Sequence, residues 1–319
     1  MRIFVEIPTW LGDAVMATPA IENIISQYSN INNLDITIFG SFVSTKLFLN
    51  HPKVTNIIID DSKKSGFRYY NIYKLAKSAG HFDMAFSFRK NITSKILLFF
   101  LDTTKSFMYQ RYDKSYGTHQ VIRYNDFINK SLDINTTPLK LKIYTTPLDK
   151  KEVTKKTLGI NPGATYGSAK RWYPTEFAKV AIALSKEYDI VIFGGPNETD
   201  IAFDIENELK NNGITNYQNL AGKTTIDELI SYISNLDIFI TNDSGPMHVS
   251  ASFDIKTICI FGPTRHKETN QWKNPNEILI RKDFECSPCM KRVCPLNDVK
   301  TNHQCMKAIK AEDILAILK

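Results

Sequence analysis

The chain has 319 residues, 43% hydrophobic and 23% charged, with a net charge of +7 at neutral pH. This is the balance of a soluble globular protein, and the length exceeds the ~100–200 residues usual for one domain, so two domains with separate cores are expected. The positive charge suits an anionic partner, whether a nucleotide, an acidic membrane surface or a nucleic acid, without choosing among them.

In chain order, Ile3–Ile7 reads as the first strand. Glu6 and Pro8 interrupt it too early for the apolar core of a secretory signal, so a cytoplasmic protein is expected. The turn Pro8-Thr9-Trp10-Leu11-Gly12-Asp13 leads into a helix over Ala14–Tyr28, which sets Asp13 at a helix start, where a carboxylate suits a cap. Further apolar runs at Leu34–Phe39, Val54–Ile59, Phe82–Phe88 and Leu139–Tyr144 alternate with helical patterns. The longest apolar block, Ile96–Leu101, falls far short of the ~20 residues of a membrane span and reads as a buried helix face, with a membrane contact as the alternative. Two basic, aromatic stretches, 62–70 and 111–119, offer rings to sugar faces and cations to phosphates, a mixture that plain surfaces also carry. The polar, Pro-interrupted Tyr144–Glu152 reads as a linker and divides the chain into 1–150 and 151–319.

A second series of runs follows at Leu158–Ile160, Ile190–Phe193, Leu236–Ile240, Thr257–Phe261 and Ile278–Ile280. Two α/β lobes, each a doubly wound and mainly parallel sheet, are the simplest architecture. Ligands of such sheets bind at the carboxyl edge, so the loops there are the candidate sites. The loop 161–174 has small residues that let backbone N–H groups approach a diphosphate, then Lys170 as a compact charge and Arg171 as a planar fork. Arg171 fits a phosphate ligand and a structural partner of a carboxylate equally well. The GxxxxGK[ST] spacing of a Walker loop is absent. Gly194–Glu198 ends another strand, and Leu220–Leu229 carries a capping-type helix start. In Thr241–Thr264 a strand end meets Asn242-Asp243-Ser244-Gly245, with a helix expected from about Pro246 whose unpaired N–H groups attract phosphate. Asp243 would repel one, so it either caps the helix or accepts from a ligand hydroxyl.

The segment NDSGPMHVSA, followed by FGPT, resembles the C-terminal signature of the ADP-heptose:lipopolysaccharide heptosyltransferases, glycosyltransferase family 9. Gly12-Asp13 and Pro162–Trp172 match the family's remaining motifs in order, the second most like its heptosyltransferase II branch. The resemblance implies a GT-B type fold of two facing Rossmann-like lobes, and inverting transfer of heptose from ADP-heptose to the first heptose of the lipopolysaccharide or lipooligosaccharide inner core, without cofactor or catalytic metal. By the same resemblance Asp13 is the base for the acceptor hydroxyl, beside Gly12, and Lys170 holds the donor phosphates. Glu198 falls at the ribose, Lys223 and Thr224 near the adenine, and Thr165, Arg171, Asp243, Ser244, Gly245 and His248 complete the donor side. The partners implied are ADP-heptose, the lipid-linked core acceptor and an anionic membrane surface held peripherally, on the cytoplasmic face of the inner membrane. Nucleic acid drops out.

Four of the five cysteines fall in Cys286-x2-Cys289-x4-Cys294-x10-Cys305. Their spacing admits a structural zinc, disulfide or redox pairing, or free packed thiols. The C-terminal apolar pattern, 308–318, reads as a helix packing either back across the first lobe or on its own domain. Rival functions are a heptosyltransferase I acting on Kdo, a two-lobed nucleotide-sugar-binding protein without chemistry, and a dinucleotide oxidoreductase, which lacks a GxGxxG after the first strand.

Overall fold

Short apolar runs that cannot face water on either side pair as parallel strands and are covered by the helices between them. The computed structural model describes residues 1–64, 66–111, 117–146 and 155–318. They form two α/β units, Met1–Tyr144 and Thr145–Lys319. Most of the expected linker, and parts of the two basic, aromatic stretches (65 and 112–116), lie outside the described residues.

In the first unit the order is β1 (Arg2–Glu6), α1 (Leu11–Gln27), β2 (Asp35–Gly40), α2 (Phe42–Thr45), β3 (Val54–Ile59), α3 (Arg68–Ser78), β4 (Phe82–Ser87), α4 (Ile92–Phe100), β5 (Thr103–Met108) and α5 (Gln120–Leu132). The strands lie parallel in the order β3-β2-β1-β4-β5. Two expectations fail here. Leu139–Tyr144 is no strand: Leu141 and Ile143 are buried and Lys142 N donates to Thr18 Oγ1 at 3.0 Å, so the alternation marks an extended segment lying on α1. The fifth strand is instead Thr103–Met108, an edge strand whose exposed, polar residues hide the signal.

Two helices also differ from expectation. α1 begins at Leu11, three residues before Ala14, with Trp10 as a cap residue that makes no side-chain bond, so Asp13 sits inside the first turn and is not the cap. In α4, Leu97 is buried beside Ile72, Ala76 and Phe82, whereas Phe99 is 80% exposed; the block is half core and half surface.

The second unit runs β6 (Lys156–Asn161), α6 (Pro174–Leu184), β7 (Tyr188–Ile192), α7 (Thr199–Asn211), β8 (Tyr217–Asn219), α8 (Ile226–Ser234), β9 (Ile238–Asn242), α9 (Gly245–Ser252), β10 (Lys256–Ile260), α10 (His266–Thr269), β11 (Glu277–Ile280), α11 (Gln304–Lys307) and α12 (Ala311–Leu318). Its sheet is also parallel, in the order β11-β10-β9-β6-β7-β8. The short β8 had no apolar signal of its own. α12 packs on α6 of the same unit, with Ala311 and Ile314 in that unit's core beside Trp172 and Phe177.

Both sheets share one winding. The first strand of each unit sits centrally, its second strand on one side and its fourth on the other, so the direction of winding reverses between β1 and β4 and between β6 and β9. Crevices at such reversals, beyond the carboxyl ends of the strands, are where open α/β sheets bind ligands. Among the described residues no helix is long and apolar enough to cross a membrane.

Candidate functional site

In the second unit the reversal is filled by loops that their own side chains lock together. β6 ends at Asn161, whose Nδ2 reaches Thr241 Oγ1, Ser244 Oγ and Gly163 O, each at 3.3 Å. Neighbouring β9 ends at Asn242, which grips the glycine-containing loop at both ends: Nδ2 donates to Pro162 O at 2.7 Å and Oδ1 accepts from Trp172 N at 3.0 Å. Trp172 is buried and its Nε1 donates to Ile309 O at 2.9 Å, so the loop is anchored beyond Lys170 as well.

Lys170 is thereby presented to Asp243. Its Nζ lies 2.6 Å from Asp243 Oδ2, donates to Asp243 O at 3.2 Å and sits over the Tyr166 ring at 4.8 Å from the centroid. Thr264 Oγ1 donates to the same Oδ2 at 2.6 Å, bringing in the loop after β10. Asp243 therefore does not cap the following helix; it positions Lys170. That helix, α9, starts at Gly245 behind Ser244, no side chain caps it, Pro246 has no N–H and Met247 N donates to Ser244 O at 3.2 Å, so what the start offers an anion is chiefly the positive end of the helix dipole. His248 is buried within α9.

Glu198 is buried, against the ordinary expectation for a loop carboxylate. Its Oε2 accepts from Gly195 N at 2.9 Å, while Oε1 is buried without a hydrogen-bond partner. A Cβ on Gly163 would stand 2.1 Å from this carboxyl, so a larger residue there would push the Glu198 carboxyl out of its place. Arg171 Nε is likewise buried without a hydrogen-bond partner, and the arginine has no carboxylate partner among the described residues. Buried polar atoms left unpaired are costly and rare, and two of them on one ring of loops mark a place shaped for something else. Thr165 is exposed on the glycine-containing loop. Lys223 turns back on its own turn, Nζ to Asn219 O at 3.0 Å, and Thr224 precedes Thr225, the true cap of α8. That turn is tied to the β7 loop by Gly222 N to Gly194 O at 2.9 Å.

In the first unit, Gly12 and Asp13 lie at the corresponding reversal, in the first turn of α1. The loop before them is clamped by residues the sequence reading passed over. Arg89 Nε donates to Ile7 O at 2.8 Å, and its Nη1 lies 3.4 Å from Glu6 Oε1 and 3.5 Å from Asp60 Oδ2. Ser94 Oγ donates to Glu6 Oε1 at 2.9 Å, and Ser87 Oγ donates to Oε2. Burial raises the Glu6 carboxyl above its ordinary range, against the lowering pull of Arg89. Burial raises the Tyr124 hydroxyl well above its ordinary value, and the Asp13 carboxylate adds to that rise.

Residues 82–300 match the family described as glycosyltransferase family 9 (heptosyltransferase). The chain is 42% identical to the lipooligosaccharide heptosyltransferase 2 of Campylobacter jejuni subsp. jejuni serotype O:6, over 100% of this chain and 98% of that protein. The chain belongs to glycosyltransferase family 9. A more distant member, the Haemophilus influenzae lipooligosaccharide heptosyltransferase 2, is 27% identical over 84% of this chain and 85% of its own. Among solved structures, Escherichia coli ADP-heptose lps heptosyltransferase II superposes with a TM-score of 0.81 at 20% identity, covering 100% of this chain and 97% of that one, so the two-lobed GT-B fold is shared.

In this family 9 member the cysteine segment serves the loop of Lys170. Arg292 O accepts from Ala169 N at 3.0 Å, and a Cβ on Gly167 would stand 2.2 Å from that oxygen. Tyr166 Oη donates to Met290 O at 2.8 Å, and Ser287 Oγ to Gly262 O at 2.6 Å. His303 holds Ala169 O through Nε2 at 2.9 Å and Tyr173 Oη through Nδ1 at 2.9 Å, which implies a proton on Nε2. Cys286, Cys289, Cys294 and Cys305 are free thiols lining a cavity of about 20 Å³. Among the described residues no three His, Cys, Asp or Glu side chains form a group placed to hold an ion. Burial, with the neighbouring thiols, pushes Cys305 up to about 11, so it is a neutral packed thiol.

Proposed function

We propose that this enzyme transfers heptose from ADP-heptose to the first heptose of the lipopolysaccharide or lipooligosaccharide inner core, with inversion and in one displacement. The observation that carries the donor half is the Lys170–Asp243–Thr264 network beside the uncapped start of α9. Asp243 engages two of the three Lys170 N–H groups, through Oδ2 and its carbonyl, and a diphosphate laid against α9 takes the third together with the positive end of the helix dipole. Charge is met there as it develops on the leaving oxygen. The unpartnered Glu198 oxygen suits a ribose hydroxyl, and the buried Arg171 Nε lies on the same loop as Lys170.

The roles divide by unit. Asp13 takes the proton of the acceptor hydroxyl as that oxygen bonds to the anomeric carbon; the bond from that carbon to the diphosphate breaks, and ADP leaves with the electron pair. Because the cations are supplied by the chain, transfer is expected to persist in excess EDTA. The lipid of the acceptor makes the protein a peripheral one at an anionic membrane surface.

Incubation with ADP-heptose and defined cores tests reaction, donor and acceptor together. Transfer to a one-heptose core and not to a heptose-free core is expected. Transfer to the heptose-free Kdo core would replace this reading by heptosyltransferase I, and donor binding without transfer to either core would remove the catalysis.

A further inference from the structure

We propose that the α3–α4 face of the first unit is the surface by which the enzyme docks on an anionic bilayer. This names the membrane partner of the reading above and rests on it for the lipid-linked acceptor. Both helices are apolar on two sides. Their inner sides are spent on the core, where Ile72, Ala76 and Leu97 pack with Phe4, Phe39 and Phe82. Their outer sides carry large rings that no packing requires to be there: Phe99 is 80% exposed, Phe67 69% and Tyr70 52%, with Tyr73 and Ile92 exposed beside them.

Tyr70, Tyr73, Phe100 and Phe99 form one ridge and are not scattered side chains. Tyr70 stacks on Tyr73 at 6.2 Å, Tyr73 meets Phe100 edge-on at 4.9 Å, and Phe100 meets Phe99 at 4.9 Å, so the contacts run unbroken from α3 to α4. Isolated exposed apolar residues need no explanation, whereas a contiguous patch marks a surface that is covered in use.

The charges on the same face select the cover. Lys74, Lys77 and Lys95 are exposed on these two helices, whose sequences RYYNIYKLAKS and ITSKILLFF contain no acidic residue. On α3, Tyr70, Tyr73, Lys74 and Lys77 follow the spacing of a single helix face, and Lys74 Nζ sits over the Tyr70 ring at 4.6 Å. Aromatic rings prefer the depth of lipid headgroups, and lysines beside them meet the phosphates of anionic lipids. The nine residues of α4 are too few to span a bilayer, which takes ~20, so the face rests on the surface and does not cross it.

Flotation with phosphatidylglycerol-containing vesicles, with phosphatidylcholine vesicles as reference, tests the assignment. The parent is expected to float with the anionic vesicles and to be released by salt. Phe99→Ser with Tyr73→Ser, and separately Lys74→Glu with Lys77→Glu, are expected to bind them about tenfold more weakly or worse. Phe203→Ser, at an exposed ring on α7 of the second unit, serves as control and is expected to bind like the parent. All variants are expected to turn over a delipidated core acceptor like the parent and to lose turnover only on acceptor embedded in vesicles. Parental vesicle binding by both double variants would overturn the proposal, as would equal loss in Phe203→Ser. No turnover of delipidated acceptor by the parent itself would sink the functional reading instead and leave the flotation result to stand alone.

Discussion

The two units share one winding and place their functional loops at the same reversal, yet they treat charge there in opposite ways. In the first unit Glu6 and Arg89 are buried beneath the loop, Glu6 hydrogen-bonded to Ser87 and Ser94 and Arg89 to the Ile7 carbonyl, with the Asp60 carboxylate beside Arg89. In the second, Lys170 and Asp243 pair on the loops of the crevice itself, with a partner-free oxygen of Glu198 and nitrogen of Arg171 on adjoining loops, where the first unit leaves only Arg89 Nη2 of its cluster unpartnered. One reversal uses charge to hold the backbone that leads into the helix of Asp13; on the proposed reading the other keeps charge available for an anion. A shared fold therefore fixes where a site lies and not what it does.

The largest effect should come from the presented carboxylate. Asp13→Asn is expected to fold, to bind ADP and to lose about 10²–10⁴ in turnover, because an amide cannot take the acceptor proton. Asp13 lies inside the first turn of α1, so the stability change should stay near the ~0.3–1 kcal/mol of a charge at a helix start. Near-parental turnover would return Asp13 to a purely structural role.

Next comes the clamp beneath it. Arg89→Met removes one partner of a buried ionic cluster and is expected to cost about 3–5 kcal/mol in urea unfolding of the first unit. A loss below about 1 kcal/mol would mean that the cluster is not what fixes the loop. In the second unit Thr264→Val takes one hydrogen bond from Asp243 and acts on Lys170 only through it, so ADP affinity should fall by about fivefold, or ~1 kcal/mol. No change would remove Asp243 from its positioning role.

The smallest effect concerns the thiols. Cys305 is buried and its pKa is raised to about 11, so at pH 8 it is neutral and becomes a thiolate only as pH approaches that value. Mass mapping after brief alkylation should find Cys286, which is exposed, modified well before Cys305. The reverse order would contradict the packed-thiol account.

How much of this was readable in advance depended on whether the physical cause was local. Buried parallel strands announce themselves as unbroken apolar runs, and glycine and proline mark the loops after them, so Lys170, Glu198 and Asp243 could be named from spacing and family motifs. β5 could not, because an edge strand is polar, and Leu139–Tyr144 misled because an extended segment lying on a helix alternates as a strand does. The Lys170–Asp243 pair joins residues 73 apart, a separation that local spacing cannot bridge, so from the sequence Asp243 fits a helix cap or an acceptor of a ligand hydroxyl. Glu6 and Arg89 left only a faint trace, a lone acid inside an apolar strand, and Arg171's orphaned nitrogen left none.

ADP titration into Lys170→Ala and Asp13→Asn, side by side with the parent, tests the division of labour most directly. Loss of the ammonium should weaken ADP binding by about 1.5–3 kcal/mol, roughly ten- to a hundredfold, while Asp13→Asn binds ADP like the parent. Parental ADP affinity in Lys170→Ala, or a comparable loss in Asp13→Asn, would contradict it.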